Sequence, residues 1–200
     1  MRKFMLCGGV WVLFLAGYSG LAQNQPEFDA AKIQPLLIKA DGTKAAGTAL
    51  TGKKYILLYF SAHWCPPCRA FTPKLIQFYK ANNKGQFEVI FVSADKDAAG
   101  MKTYMHETAM PWPAVKYEAI NQSQLRSYSG RGIPCLVLIN PKGEVLADSY
   151  AGEKYLGPEK VLNDLKKMLE QEKPNKTGAT PKSQSGYPGK DKSGAATSGK

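Results

Sequence analysis

The stretch 55–79, YILLYFSAHWCPPCRAFTPKLIQFY, constrains this chain more than any other. It opens, over 55–62, with a short apolar, aromatic-rich run of the kind a strand shows when both its faces are covered. Cys65-Pro66-Pro67-Cys68 follows directly, and Phe71, Leu75, Phe78 and Tyr79 then recur at helical spacing, as one buried stripe would. The expected order is strand, cysteine turn, helix, with the helix running from Cys65 to about Ala81.

That order places Cys65 at a helix N-terminus, where unpaired backbone N–H groups and the positive end of the helix dipole favour thiolate over thiol. A free cysteine has a pKa of about 8.5, and a Cys-x-x-Cys setting brings it to roughly 3.5–7.5. Cys65 comes first and is expected at the exposed lip, which makes it the nucleophile. Cys68 lies about one turn into the helix, within reach of Cys65 but poorly placed to meet another protein. Cys65 is therefore expected to attack a substrate disulfide and Cys68 to resolve the mixed disulfide. Pro66 and Pro67 remove backbone donors and stiffen the turn.

Trp64-Cys65-Pro66-Pro67-Cys68 after an apolar strand resembles the thioredoxin superfamily. The longer string FSAHWCPPCRAFTPKL, with FEVIFVS at 87–93 and MPW at 110–112, resembles its tryparedoxin and nucleoredoxin branch, and the resemblance covers about 35–169. It implies a thioredoxin fold: an α/β domain with a central mixed sheet and helices on both faces. It also implies that Pro134 is a cis-proline facing the active-site disulfide, with the Ile133 backbone open for pairing with an extended substrate. Trp64 then offers partners a flat apolar docking surface, and Pro66 and Pro67 belong to the same substrate-binding surface. Pro73 is expected to bend the helix. Tyr59 is a departure. Thioredoxins proper carry a buried Asp there that assists proton transfer from the second cysteine, so either core packing or a proton relay is open to Tyr59.

Residues 1–22 read as a cleaved secretory signal: Arg2 and Lys3, an apolar run, then Gly20-Leu21-Ala22 before Gln23. The apolar run is short for a membrane anchor, which needs about 20 residues. Cys7 would leave with the signal, so the mature chain keeps Cys65, Cys68 and Cys135. One pair and one odd thiol suit a redox protein better than a disulfide-stapled scaffold. Residues 23–34 are expected to be a loose lead-in, 35–172 one thioredoxin-like domain, and 173–200 a disordered Lys/Gly/Ser-rich tail. The net charge of +11 is mostly terminal: two charges sit on Arg2 and Lys3 and a net five in the tail, which leaves +4 for the domain. That balance, without a basic stripe interleaved with aromatics, excludes nucleic-acid binding as the expected role.

Within the domain, strands are expected at 36–39, 47–50, 87–93, 114–117, 136–140 and 144–149 besides the one before the cysteines. Helices are expected at 97–107, with Met101, Tyr104 and Met105 inward, at 123–128, and from Gly157-Pro158, with Val161, Leu162, Leu165, Met168 and Leu169 on one face. Asn140-Pro141-Lys142-Gly143 is a hairpin turn. His63 reads as a solvent-exposed strand end or, if partly protonated, as a charge that favours the Cys65 thiolate. Cys135 reads as a buried apolar thiol, a third redox thiol or a metal ligand. Trp112 should pack its loop down, and Arg69 and Lys74 should lie on a solvated helix face.

The expected activity is thiol–disulfide exchange on protein disulfides outside the cytosol, periplasmic or secreted, in the reducing direction that the resemblance favours. No nucleotide-binding motif is present, so electrons would come from a membrane thiol donor. The only cofactor expected is the Cys65–Cys68 disulfide itself, with no metal, and the chain is expected to be monomeric. A disulfide oxidase or isomerase, a peroxidase using Cys65, and a Cu/Zn-binding thiol module built on Cys65, Cys68 and either His63 or Cys135 are the other readings.

Overall fold

The computed structural model describes residues 28–172; the expected signal, 1–22, and the expected tail, 173–200, lie outside the described residues. The central element is β2, Tyr55–Ser61, whose residues beyond Tyr55 are all buried. It is flanked by β3, Phe87–Ser93, in parallel and by β5, Cys135–Ile139, antiparallel. Two short strands, β4 (Ala114–Val115) and beyond it β1 (Leu37–Ile38), extend the β3 side, and β6 (Val145–Asp148) extends the β5 side. The resulting order is β1-β4-β3-β2-β5-β6, a mixed sheet. A separate two-stranded hairpin pairs β7, Tyr150–Ala151, with β8, Lys154–Tyr155.

Alternation along the inner strands builds two cores. Leu57, Tyr59, Val89, Phe91, Leu136 and Leu138 face one layer. That layer consists of α2 (Pro66–Asn82), α3 (Ala98–Glu107) and α4 (Pro158–Gln171). The crossovers from β2 to β3 and from β3 to β4 step the same way across the sheet. Right-handed connections therefore put α2 and α3 on the same face. Ile56, Leu58, Ile90, Val92, Val137 and Ile139 face the other layer. It is closed by α1 (Ala30–Ile33) and by 3₁₀ turns at Gln34–Leu36, Tyr117–Ala119 and Leu125–Tyr128. Helical segments thus cover both faces, as expected for a thioredoxin fold, but the three long helices share one.

Most boundaries fall within a residue or two of the sequence reading; the differences lie in the lead-in, at 47–50, at 123–128 and in the unexpected hairpin at 150–155. The described part of the lead-in is ordered into the domain: Asp29 caps α1, and Phe28 and Ile33 are buried. Residues 47–50 form turns rather than a strand. The Gln34 side chain donates to Ala46 O and accepts from Leu50 N, which satisfies the backbone groups a ladder would have used. Where a helix was expected at 123–128, only Leu125–Tyr128 coils, as a 3₁₀ turn. The hairpin turn at Asn140–Gly143 forms, with Asn140 Oδ1 accepting from Lys142 N and Glu144 N. Gly143 has φ +85°, and a Cβ there would come within 2.7 Å of Phe28 Cβ and the Tyr128 hydroxyl. Glycine is required at that position by backbone and by space.

Candidate active site

Cys65 stands at the C-terminal end of β2, where the sheet changes from parallel to antiparallel neighbours, and it caps α2. It is joined to Cys68 by a disulfide, with Cα atoms 5.2 Å apart. Pro66 and Pro67 fill the first two helical positions and bring no N–H. The Cys68 N–H is therefore the first free donor, and it points at Cys65 Sγ, 3.3 Å away. Arg69 N donates to Cys65 O and closes the first turn. Cys65 does not sit at an exposed lip: it is buried beside Ala62 and Ile133, 4% exposed, and Cys68 is 0% exposed. The asymmetry runs as expected, with solvent reaching only the first cysteine.

Four groups frame the pair. The Ile133–Pro134 bond is cis. Ile133 O lies 3.8 Å from Cys65 Sγ, and the Ile133 side chain packs on Ala62, Cys65 and Cys68. Trp64 is 56% exposed, and its indole N–H donates to Ala94 O at 3.2 Å, so the ring is held rather than free. His63 is half-buried instead of solvent-exposed: its Nε2 lies 2.8 Å from Glu107 Oε2, and its backbone N–H donates to Asp95 Oδ1. Asp95 is itself buried and accepts from Ser93 Oγ. Pro66 and Pro67 are exposed on the rim.

Behind Cys68 lies a cluster of buried hydroxyls. Tyr59 OH accepts from Ser61 Oγ and shares a 2.8 Å hydrogen bond with Thr72 Oγ1. Thr72 and Ser61 each reach Tyr104 OH. Thr72 Oγ1 donates to Cys68 O at 3.0 Å, and Tyr59 OH reaches the same carbonyl at 3.4 Å. Burial and the neighbouring Tyr104 push the Tyr59 phenol well above its ordinary value, so it remains a neutral hydrogen-bonding group. Tyr59 is thus both core and polar network, and among the described residues no carboxylate belongs to that network.

Cys135 lies in the layer on the other face of the sheet, apart from the Cys65–Cys68 cluster, and burial pushes its thiol up to about 11. Among the described residues no group of three or more His, Cys, Asp and Glu is placed to hold a metal ion. Trp112 is buried against Tyr59 and Tyr79, which holds its loop down. Arg69 is exposed and Lys74 pairs with Glu159. Ser61, Thr72, Asp95 and Glu107 were missed in the sequence. Thr72, one turn after Cys68, was within reach of a spacing argument; Asp95 and Glu107 meet His63 only through the fold.

A cysteine-capped helix at the switch point of a mixed sheet defines a dithiol–disulfide site of the thioredoxin class. Residues 52–145 match the family model described as thioredoxin-like. Human nucleoredoxin is 42% identical over 132 residues, 64% of this chain and 28% of that protein. Thioredoxin from Wuchereria bancrofti is 37% identical with a TM-score of 0.55, over 68% of this chain and 97% of that one. Tryparedoxin I from Leishmania major is 28% identical with a TM-score of 0.52, over 70% and 90%. This chain belongs to the thioredoxin superfamily, in its tryparedoxin/nucleoredoxin-like branch of oxidoreductases. It spans 28% of the length of the curated nucleoredoxins it matches first.

Proposed function

We propose that this protein reduces protein disulfides outside the cytosol, with Cys65 as attacking thiol and Cys68 as resolving thiol. The observation that carries the reading is the asymmetry at the helix N-terminus. Cys65 Sγ receives the Cys68 N–H at 3.3 Å and has the only solvent access of the pair. A negative sulfur at Cys65 is stabilised there by that donor and by the helix dipole.

In the reduced state the Cys65 thiolate attacks one sulfur of a substrate disulfide. A Cys65–substrate disulfide forms, and the other substrate sulfur leaves as thiolate and takes a proton. Cys68 then loses its proton and attacks Cys65 Sγ, which releases the second substrate thiolate. Two electrons have passed from the dithiol to the substrate, and the Cys65–Cys68 disulfide remains. Ile133 and Pro134 supply the main chain beside which a substrate segment lies, and Trp64, Pro66 and Pro67 supply apolar contact. The cycle needs an external thiol donor; a membrane protein dithiol fits the proposed location, which the basic-then-apolar opening stretch supports.

Equilibrating the pair with glutathione measures its reduction potential. A value of about −250 mV or lower fits the reducing direction, and about −150 mV or higher replaces it with an oxidase or isomerase. Cys68→Ser should accumulate a mixed disulfide with a substrate protein on a non-reducing gel, and Cys65→Ser should not. Trapping through Cys68 instead would reverse the assigned roles.

A further inference from the structure

β7 and β8 form a hairpin of their own, apart from the main sheet, and it is tied to the segment 130–134 beside Cys65. Its root is fixed at buried Ser149, whose hydroxyl accepts from Leu136 N and donates to Leu136 O. From that root two tyrosines reach back. Tyr155 OH donates to Pro134 O at 2.8 Å, and Tyr150 OH to Gly132 O at 3.4 Å. Arg131 pairs with Glu153 at the hairpin tip. The Tyr150 ring covers Gly130 so closely that a Cβ there would fall 2.2 Å from its Cε2. The two rings meet across the hairpin, tilted at 53°, with centroids 5.0 Å apart.

The consequence lies in the three carbonyls 132–134. The outer two are occupied by tyrosine hydroxyls, and the middle one, Ile133 O, lies 3.8 Å from Cys65 Sγ. The Ile133 N–H has no hydrogen-bond partner among the described residues. Sheet order adds a second point. β2 lies between β3 and β5; Trp64 is held at Ala94, just past β3, and Tyr155 at Pro134, just before β5. Two aromatics that are exposed among the described residues, Trp64 at 56% and Tyr155 at 47%, therefore stand on opposite sides of the Cys65 turn. Burial and the neighbouring Tyr150, Cys135 and Glu159 raise the Tyr155 phenol, so it stays a donor.

We propose that Tyr155 and Tyr150 are positioning residues for disulfide exchange. Their hydroxyls hold the Pro134 and Gly132 carbonyls so that the Ile133 peptide groups meet an incoming chain beside Cys65. Their rings form the wall opposite Trp64. The inference rests on the exchange reading above and narrows its substrate class to an extended polypeptide with apolar side chains flanking the cysteine. A backbone partner satisfies Ile133, and two aromatic walls favour apolar neighbours.

Tyr155→Phe keeps the ring and removes one hydrogen bond. With insulin as the protein disulfide, KM should rise about three- to tenfold, the effect of one lost hydrogen bond, with kcat within about twofold of wild type. The reduction potential of the Cys65–Cys68 pair should not move, and oxidised glutathione, which presents no extended chain, should show a smaller change in KM than insulin. Tyr150→Phe should act in the same direction. An unchanged insulin KM in the double variant overturns the positioning role and leaves the exchange reading intact. Equal losses on insulin and oxidised glutathione together with a shifted potential also overturn it, because the tyrosines would then act on the cysteine pair itself. A wild-type protein that exchanges with neither substrate overturns the exchange reading instead.

Discussion

Cys65, Cys68 and Cys135 are the same chemical group in three environments, and the environments decide what each can do. Cys65 meets a helix N-terminus and the solvent, Cys68 is sealed beneath it, and Cys135 lies in apolar surroundings that push its thiol up to about 11. At pH 8 only about one Cys135 thiol in a thousand is then ionised. Brief iodoacetamide treatment of the reduced protein at pH 8 should therefore label Cys65 and leave Cys135 unmodified until denaturant is added. Peptide mass mapping checks this, and equal labelling of both would contradict the burial argument. The same shift has a stability consequence. The folded thiol holds its proton more tightly than the unfolded one, so its contribution is complete below about pH 8.5 and is lost as pH rises toward 11. Wild type should lose stability over that interval more steeply than Cys135→Ala.

Elements meet through a few buried polar contacts, and Glu88 is the clearest. It lies on β3, is buried, and accepts from Val89 N and from Tyr79 OH on α2. Burial outweighs those donors and raises its carboxyl above the ordinary carboxylate value. A raised folded-state value means that Glu88 contributes most below the unfolded value of about 4.3 and less as pH rises through the folded one. Glu88→Gln keeps the acceptor oxygen without the charge. Its Tm should exceed wild type at pH 7, with the difference shrinking as pH falls toward 4.5. A variant less stable than wild type at pH 7 would show that the Tyr79 and Val89 hydrogen bonds outweigh the cost of burying the charge.

At the scale of the molecule, both apolar layers are built on the same strands. Leu57 and Tyr59 face the long helices while Ile56 and Leu58 face the short ones, so neither layer survives loss of the sheet. Unfolding in denaturant should be one cooperative step, with coincident midpoints by far-ultraviolet and near-ultraviolet circular dichroism. Leu165→Ala and Leu125→Ala remove buried side chains from opposite layers, and each should cost about 2–5 kcal/mol and shift both probes equally. Separate transitions would mean that the layers fold independently.

How much of this was legible beforehand follows from the range of the interactions. Hydrophobic period, proline at a helix start and the spacing of two cysteines act within a turn or a strand. For that reason β2, β3, α2, α3 and α4, and the pairing of Cys65 with Cys68, could be read along the chain. The motif strings also pointed to the cis bond at Pro134. The hairpin at 150–155 escaped because its strands are two residues each and are stabilised by contacts to 130–134, far too short for a periodic signal. The strand expected at 47–50 failed because Gln34, distant in sequence, takes its backbone groups. Local pattern along the chain was enough for the inner strands, the long helices and the Cys65–Cys68 pairing. Contacts across the fold put the long helices on one face, hydroxyls around the Cys68 carbonyl, Asp95 and Glu107 on His63, and Tyr155 on Pro134. Each of these depends on side chains many residues apart meeting across the sheet, and no local pattern encodes such a meeting.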